Sequence, residues 1–330
     1  MSLRKFAKDT AIYGIATVLP RVINVLLLRL FTDEMQTAQF SDATYFWIFA
    51  SFFNVILTYG METSFFRFFT KMNKSKKVLD TAFTSIFISS IIFLIIIMSM
   101  RNQIAGILDF DVRYFTILIW VTILDTLVVI PYAYLRVMNR PIRYLFYKTA
   151  NILLYVLGII MFFKFFPVLI KLNQEWANIL KSDNNAVYIF YSNLFASAIT
   201  LILFFPIFKK FKFSIDKQLW IKMMRYGLPI MIAGMAYIIN ENLDKYLLRR
   251  MISPEIMGAY AATYKIGVFM TLYITAFRLG AEPFFFSHSK EHDAKQKYAD
   301  ILLWFTIVGA VFYVFVVAYM DLISSFFIRR

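Results

Sequence analysis

Hydrophobic side chains fall in long blocks along this chain rather than in strict alternation. Nine mostly apolar runs can be marked, at approximately 11–31, 43–66, 79–100, 114–135, 144–166, 186–208, 220–248, 257–286 and 298–323. Each has the roughly 20 residues that a helix needs to cross a bilayer. Some contain unbroken bulky stretches, such as Ile91–Met98 (IIFLIIIM), with no turn signal inside them. The ten-residue alternation of a membrane β-barrel is missing, so the pattern predicts an all-α polytopic membrane bundle with about nine transmembrane helices. The first run follows a basic MSLRKFAKD and contains Arg21 and Arg29 without a small-residue cleavage site. It therefore reads as a retained span rather than a signal peptide.

Polar residues inside the runs line up. At 100° per residue, Tyr13, Thr17, Arg21 and Asn24 share a stripe of span one, with Arg29 nearby. Span two carries Thr44, Trp47, Ser51, Asn54, Thr58 and Glu62 on one face. Span four has Thr122, Asp125, Tyr132 and Arg136 on one side, and span seven holds Asn240, Glu241, Asn242, Asp244 and Lys245. Span eight repeats the habit with Tyr260, Tyr264, Gly267, Thr271, Thr275, Arg278 and Glu282, and Lys265 lies within it. Ionisable groups at membrane depth cost about 2.5–3.5 kcal/mol on insertion scales and normally face a cavity or a partner. The stripes of spans one, two, seven and eight are expected to line one hydrated central cavity. Two readings stand for Glu62, Arg136, Arg249 and Arg250, which lie near span ends: cavity groups, or interfacial and helix–helix contacts. Glu241 and Lys245 have the i,i+4 order that lets a pair neutralise itself. Pro20 is expected to disturb span one.

The chain also repeats itself. Tyr13-Gly14 opens span one and Tyr226-Gly227 opens span seven; Gly60-Met61-Glu62-Thr63-Ser64-Phe65-Phe66 ends span two and Gly280-Ala281-Glu282-Pro283-Phe284-Phe285-Phe286 ends span eight. The copies lie six spans apart, an even number, so they share an orientation, as in a parallel repeat about an axis along the membrane normal. This divides the chain into a six-helix N-terminal lobe, 1–212, and a partial three-helix C-terminal lobe, 213–330, and predicts further spans beyond Arg330 in the native protein.

Composition sharpens the picture. The chain of 330 residues is 60% hydrophobic, 19% aromatic and 17% charged, with a mean hydropathy of +0.66. A soluble domain is about 45–50% apolar and a quarter charged. With no Cys and only two His, thiolate chemistry is excluded and metal chemistry has little room. His288 and His292 have ligand spacing but read as a solvated helix end in a Lys/Glu-rich loop. No P-loop is present, and no cofactor is expected. The net charge of +15 is a topology signal rather than a nucleic-acid footprint. Alternate loops carry 21 Lys and Arg against 9 for the intervening ones, which predicts a cytoplasmic N-terminus.

The runs Asn54–Phe68 (NVILTYGMETSFFRF), Arg225–Pro229 (RYGLP), Leu243–Leu248 (LDKYLL) and Gly258–Ile266 (GAYAATYKI) resemble the polysaccharide-transport, Wzx-like branch of the MOP (multidrug/oligosaccharidyl-lipid/polysaccharide) exporter superfamily. The likeness extends over essentially the whole chain, apart from its ending after nine spans. It implies a two-lobe MOP/MATE-like helical bundle around a central cavity. The implied activity is a flippase that moves undecaprenyl-diphosphate-linked oligosaccharide across the bacterial inner membrane by alternating access, rather than an enzyme. Arginines of the first and eighth helices are implicated in that family, and the matching positions are Arg21 or Arg29 and Arg278. The substrate-cavity candidates are thus Arg21, Asn24, Arg29, Asn54, Asn240, Lys265, Thr271 and Arg278; Glu62, Asp125, Glu241, Asp244 and Glu282 are candidates for ion coupling. The expected partners are the lipid-linked oligosaccharide, membrane lipid and polysaccharide polymerase or assembly machinery. The alternatives are a cation-coupled multidrug antiporter of the same superfamily, which would favour acidic cavity residues, and a membrane-embedded polyprenyl-sugar glycosyltransferase, for which Asp33-Glu34 is the acidic pair available.

Overall fold

The computed structural model describes residues 3–168, 184–271, 273–274, 277 and 294–328. Among the described residues every regular element is helical. The chain is a polytopic all-α membrane protein and, among the described residues, has seven helical stretches long and apolar enough to cross a bilayer. These are residues 12–34, 37–71, 76–99, 112–137, 141–168, 186–203 and 295–318, which correspond to the first six runs and the ninth. The seventh run forms the longest helix, Lys217–Met251, but its charged and amide residues keep it below a spanning hydropathy. The eighth begins as Pro254–Tyr264 and tightens into a 3₁₀ turn at Lys265–Gly267.

In chain order the helices are α1 (Leu3–Glu34), α2 (Thr37–Thr58), α3 (Met61–Lys71), α4 (Lys76–Ser99), α5 (Arg101–Ile107), α6 (Val112–Leu127) and α7 (Val129–Val137). They continue with α8 (Pro141–Ile160), α9 (Ala186–Leu203), α10 (Phe205–Phe208), α11 (Lys217–Met251), α12 (Pro254–Tyr264), α13 (Ala294–Ala318) and α14 (Met320–Phe327). A π turn at Met161–Phe165 extends α8. Helix α1 runs unbroken through Pro20, so the disturbance expected there does not interrupt it, and α11 likewise runs through Pro229.

The second run is where pattern and structure part. Tyr59 (φ 35°) and Gly60 (φ 70°) adopt left-handed backbone and split it into α2 and α3. The reason is a backbone crossing. A Cβ on Gly60 would lie 2.2 Å from the Gly227 carbonyl oxygen, so α11 touches the main chain itself at this point.

Two aromatic cores hold the bundle. One joins α2, α6, α8 and α9 with part of α12, and has Phe46 stacked on Phe190 at 4.1 Å. The other joins α3, α4, α7, α10 and the start of α11, with Tyr147 stacked on Phe204 at 4.1 Å. Each core sits toward one end, and the loops sort accordingly. At the second core Lys77 pairs with Asp216, and Asp80 accepts from the Lys212 amide at 2.9 Å. At the first, Asn185 donates to the Glu34 carbonyl at 2.7 Å and Tyr45 to the Leu108 carbonyl at 3.0 Å. The basic loops between α3 and α4 and before α11 therefore share one end, opposite the loops that follow α1 and α5.

Candidate functional site

On the α1 side of α11 lies a cavity of about 790 Å³. Helix α1 contributes Arg21 and Asn24, one turn apart and just past Pro20. Helix α11 contributes Tyr237 and Glu241, again one turn apart, the end of α12 contributes Thr263 and Tyr264, and the 3₁₀ turn contributes Lys265. Thr271 lies beyond the 3₁₀ turn, and Tyr313 and Met320 of α13 and α14 close the apolar side.

The charges of this wall are unequal. Glu241 is engaged: its Oε1 accepts a 2.8 Å hydrogen bond from the Tyr264 hydroxyl. Among the described residues neither Arg21 nor Lys265 has an ion-pair partner. The Lys265 ammonium instead lies over Phe40 and Phe31, 4.8 and 5.4 Å from the ring centroids. Aromatic faces offset part of the cost of a dehydrated cation without cancelling its charge. A cavity walled this way has room for an anion.

Beneath the wall a polar web joins α11 to α12. Lys245, only 5% exposed, donates to the Glu241 backbone carbonyl at 2.8 Å and lies 3.7 Å from the Tyr264 ring centroid. Its ammonium is 3.4 Å from the Asp244 carboxylate, which also accepts a 2.6 Å hydrogen bond from Tyr260. Lys245 thus reaches the carbonyl of Glu241 and the carboxylate of Asp244, where the i,i+4 spacing had suggested a pair with the Glu241 side chain.

The remaining sequence candidates are dispersed. Arg29 donates to the Phe326 carbonyl at 3.1 Å and ties α1 to α14. Asn240 is exposed on α11, and Asn54 is half-buried on α2; neither lines the cavity. Helix α2 adds nothing to the cavity, because α11 and α12 cover one side of it. Its hydroxyls at Thr44, Ser51 and Thr58 donate to the carbonyls of Phe40, Trp47 and Asn54 in their own helix. The cavity expected from four polar stripes is therefore lined from α1, α11, α12 and the turn after it, with α13 and α14.

Glu62 pairs with Arg136 at 2.9 Å, and Asp125 accepts from Ser197 at 2.6 Å. Both lie within the first six-span unit, near Lys148, whose ammonium stands 4.4 Å from the Tyr132 centroid. Arg278 and Glu282 lie outside the described residues. The α11 wall residue Tyr237 was not among the candidates, although its position four residues before Glu241 on one helix face marks it. Tyr313 and Met320 carried no readable signal, since their approach to α1 is tertiary.

A family model described as polysaccharide biosynthesis protein matches residues 6–281. No curated protein and no solved structure gives a match.

Proposed function

We propose, from the premise that the chain belongs to the polysaccharide biosynthesis protein family, the family of Wzx-like flippases in the MOP superfamily, that it translocates an undecaprenyl-diphosphate-linked oligosaccharide across the bacterial inner membrane. The unit would be one destined for O-antigen, capsule or exopolysaccharide. Family members are transporters of polysaccharide units rather than enzymes, and the chain is a multi-pass membrane protein accordingly. The observation that supports the finer reading is that Arg21 and Lys265 line one cavity and, among the described residues, neither has an ion-pair partner.

A sugar diphosphate cannot enter hydrocarbon unaided, so a carrier must replace its hydration. Arg21 offers a planar fork for phosphate oxygens and Lys265 a point charge. Asn24, Tyr237, Thr263 and Thr271 supply amide and hydroxyl groups for sugar hydroxyls. The polyprenyl tail stays in lipid. Lobes 1–212 and 213–330 would rock about the α2–α11 seam, with the N-terminus on the cytoplasmic side. Outward movement of an anion is favoured by an inside-negative potential, by ~2.3 kcal/mol per charge per 100 mV. Glu241 and Asp244 are the carboxylates placed to link an ion to that motion. A multidrug antiporter would need to attract cations, and this wall opposes that.

The test pairs export with abundance. Arg21→Ala and Lys265→Ala each remove one charge-assisted contact of about 1.5–3 kcal/mol, so export of labelled lipid-linked oligosaccharide should fall roughly tenfold to a hundredfold at normal membrane abundance. Arg21→Lys should retain more activity than Arg21→Ala. Normal export from both alanine variants would remove the cationic-cavity mechanism.

A further inference from the structure

Another concave feature shares no lining residue with the cavity. A groove of about 520 Å³ runs between α8 and α10 and is lined by Arg143, Phe146 and Tyr147 on one side and Pro206, Ile207 and Lys210 on the other. Its charges are both positive and no carboxylate lines it. Arg143 and Lys210 are exposed, and neither has an ion-pair partner among the described residues. The Tyr147 ring is held by its stack on Phe204.

The setting separates this groove from an ordinary basic surface. It opens at the level where α8 begins, after the Asn139-Arg140 turn, and where α9 gives way to α10. That is the end of the bundle where the basic loops gather. Toward the middle of the bundle two lipid-facing stripes lead away from it. On α8 the stripe is Ile142, Phe146, Leu153 and Leu157; on α9 it is Phe195 and Ile202, continued by Phe205. Ile142 is 68% exposed and Ile202 is also 68% exposed, although both flank a closely packed helix pair. In water such a face would be unfavourable; in a bilayer it is an acyl-chain track. Two cations at the headgroup level, without ion-pair partners among the described residues and with Lys210 5.9 Å from the Tyr134 ring centroid, stand above two apolar tracks and match the layout of one anionic phospholipid.

We propose that this groove is a binding site for an anionic phospholipid, of which phosphatidylglycerol is the simplest. Its phosphodiester sits between Arg143 and Lys210 and its acyl chains run along the α8 and α9 stripes. Lys209, over the Phe205 ring at 5.1 Å, adds a third positive charge at the rim. The site fastens α8 and α9, the most extensively paired helices of the bundle, to the leaflet at their basic end. It is independent of the cavity and of what the cavity carries.

The experiment is native mass spectrometry of the purified full chain in detergent with equal phosphatidylglycerol and phosphatidylethanolamine. The wild-type chain should retain phosphatidylglycerol in preference. Arg143→Gln/Lys210→Gln should lower that preference by about tenfold. Lys74→Gln/Lys76→Gln removes the same charge from another loop at the same end and should leave the preference in place. The swap Arg143→Lys/Lys210→Arg, which keeps both charges and tests for damage to the fold, should retain it. An equal loss in both Gln pairs would reduce the effect to general surface charge and overturn the assignment. An unchanged preference in the groove pair would do the same. Stronger retention of a polyprenyl diphosphate than of phosphatidylglycerol, lost in the groove pair, would make the groove a substrate-loading site instead and also overturn it.

Discussion

The seam between α2 and α11 rests on a contact that a single methyl group should break. Gly60 has φ 70° and ψ 11°, and a Cβ placed on it would stand 2.2 Å from the Gly227 oxygen, 2.8 Å from its carbonyl carbon and 2.9 Å from its Cα. All three neighbours are backbone, so no side chain can rotate out of the way. Left-handed backbone costs an L-residue about 1–2 kcal/mol, and overpacking of a tight contact costs about 1–3 kcal/mol. Gly60→Ala should therefore lose about 2–5 kcal/mol, with the helices forced apart and the 2.9 Å bond from Ser64 to the Met223 carbonyl stretched. Gly227→Ala meets the Tyr59 carbonyl at 2.8 Å and the Ser64 hydroxyl at 2.9 Å, and it should cost less because one neighbour can turn. Gly106→Ala meets nothing within 4 Å in α5, and by reducing unfolded-chain entropy it should be neutral or stabilising by about 0.4–1 kcal/mol. The assay is the monodisperse fraction surviving a temperature series in detergent, read by size exclusion. The expected order of midpoints is Gly106→Ala above wild type or equal to it, then Gly227→Ala, then Gly60→Ala several degrees lower. Equal midpoints for Gly60→Ala and Gly106→Ala would refute the close crossing.

At the other end of the same seam, Arg249 is 13% exposed in its side chain and pairs with Asp42 at 2.7 Å while stacked 4.5 Å over Tyr45. Arg249→Ala leaves Asp42 with its Asn184 contact alone and should cost about 3–5 kcal/mol, measured as lost folded protein; the double variant Arg249→Met/Asp42→Leu should recover most of it. Gly258→Ala should also lower the folded yield, since its Cβ would lie 1.9 Å from the Thr37 carbonyl; a normal yield would contradict the packing of α12 on α2. The Lys77 ammonium and the Leu219 amide hold the Asp216 carboxyl below its ordinary range. The stability this adds is present above the unfolded carboxylate pKa, about 3.9, and lost as pH falls through the lower folded value. The thermal midpoints of wild type and Asp216→Asn should thus differ at pH 7 and converge below pH ~4, and a constant gap would sink the assignment. Single-cysteine labelling should place Ser75→Cys inside and Asn102→Cys outside intact cells, and the reverse would invert the proposed orientation.

Sequence pattern alone carried the solvent and the class of this protein, because bilayer thickness imposes a run length that hydrophobic blocks display directly. It also carried the sorting of loops to two ends, since successive spans must alternate. Arg21, Asn24, Glu241 and Lys265 were marked by one rule, that an ionisable or amide group at membrane depth needs a polar neighbour, and Thr271 by the polar stripe it shares. The rule does not say which neighbour, and tertiary structure decided that. Asp125 turned to Ser197, Glu62 to Arg136 and Arg29 to a carbonyl of α14, whereas Arg21 and Lys265 line one cavity with Glu241 and, among the described residues, make no ion pair. The polar face of α2 looked equivalent to those of α1 and α12, yet its hydroxyls are satisfied within their own helix and it stands behind α11 and α12. Period and composition describe one helix at a time. Which face meets which depends on where backbones can approach, and the Gly60–Gly227 crossing joins positions 167 residues apart that no local pattern connects.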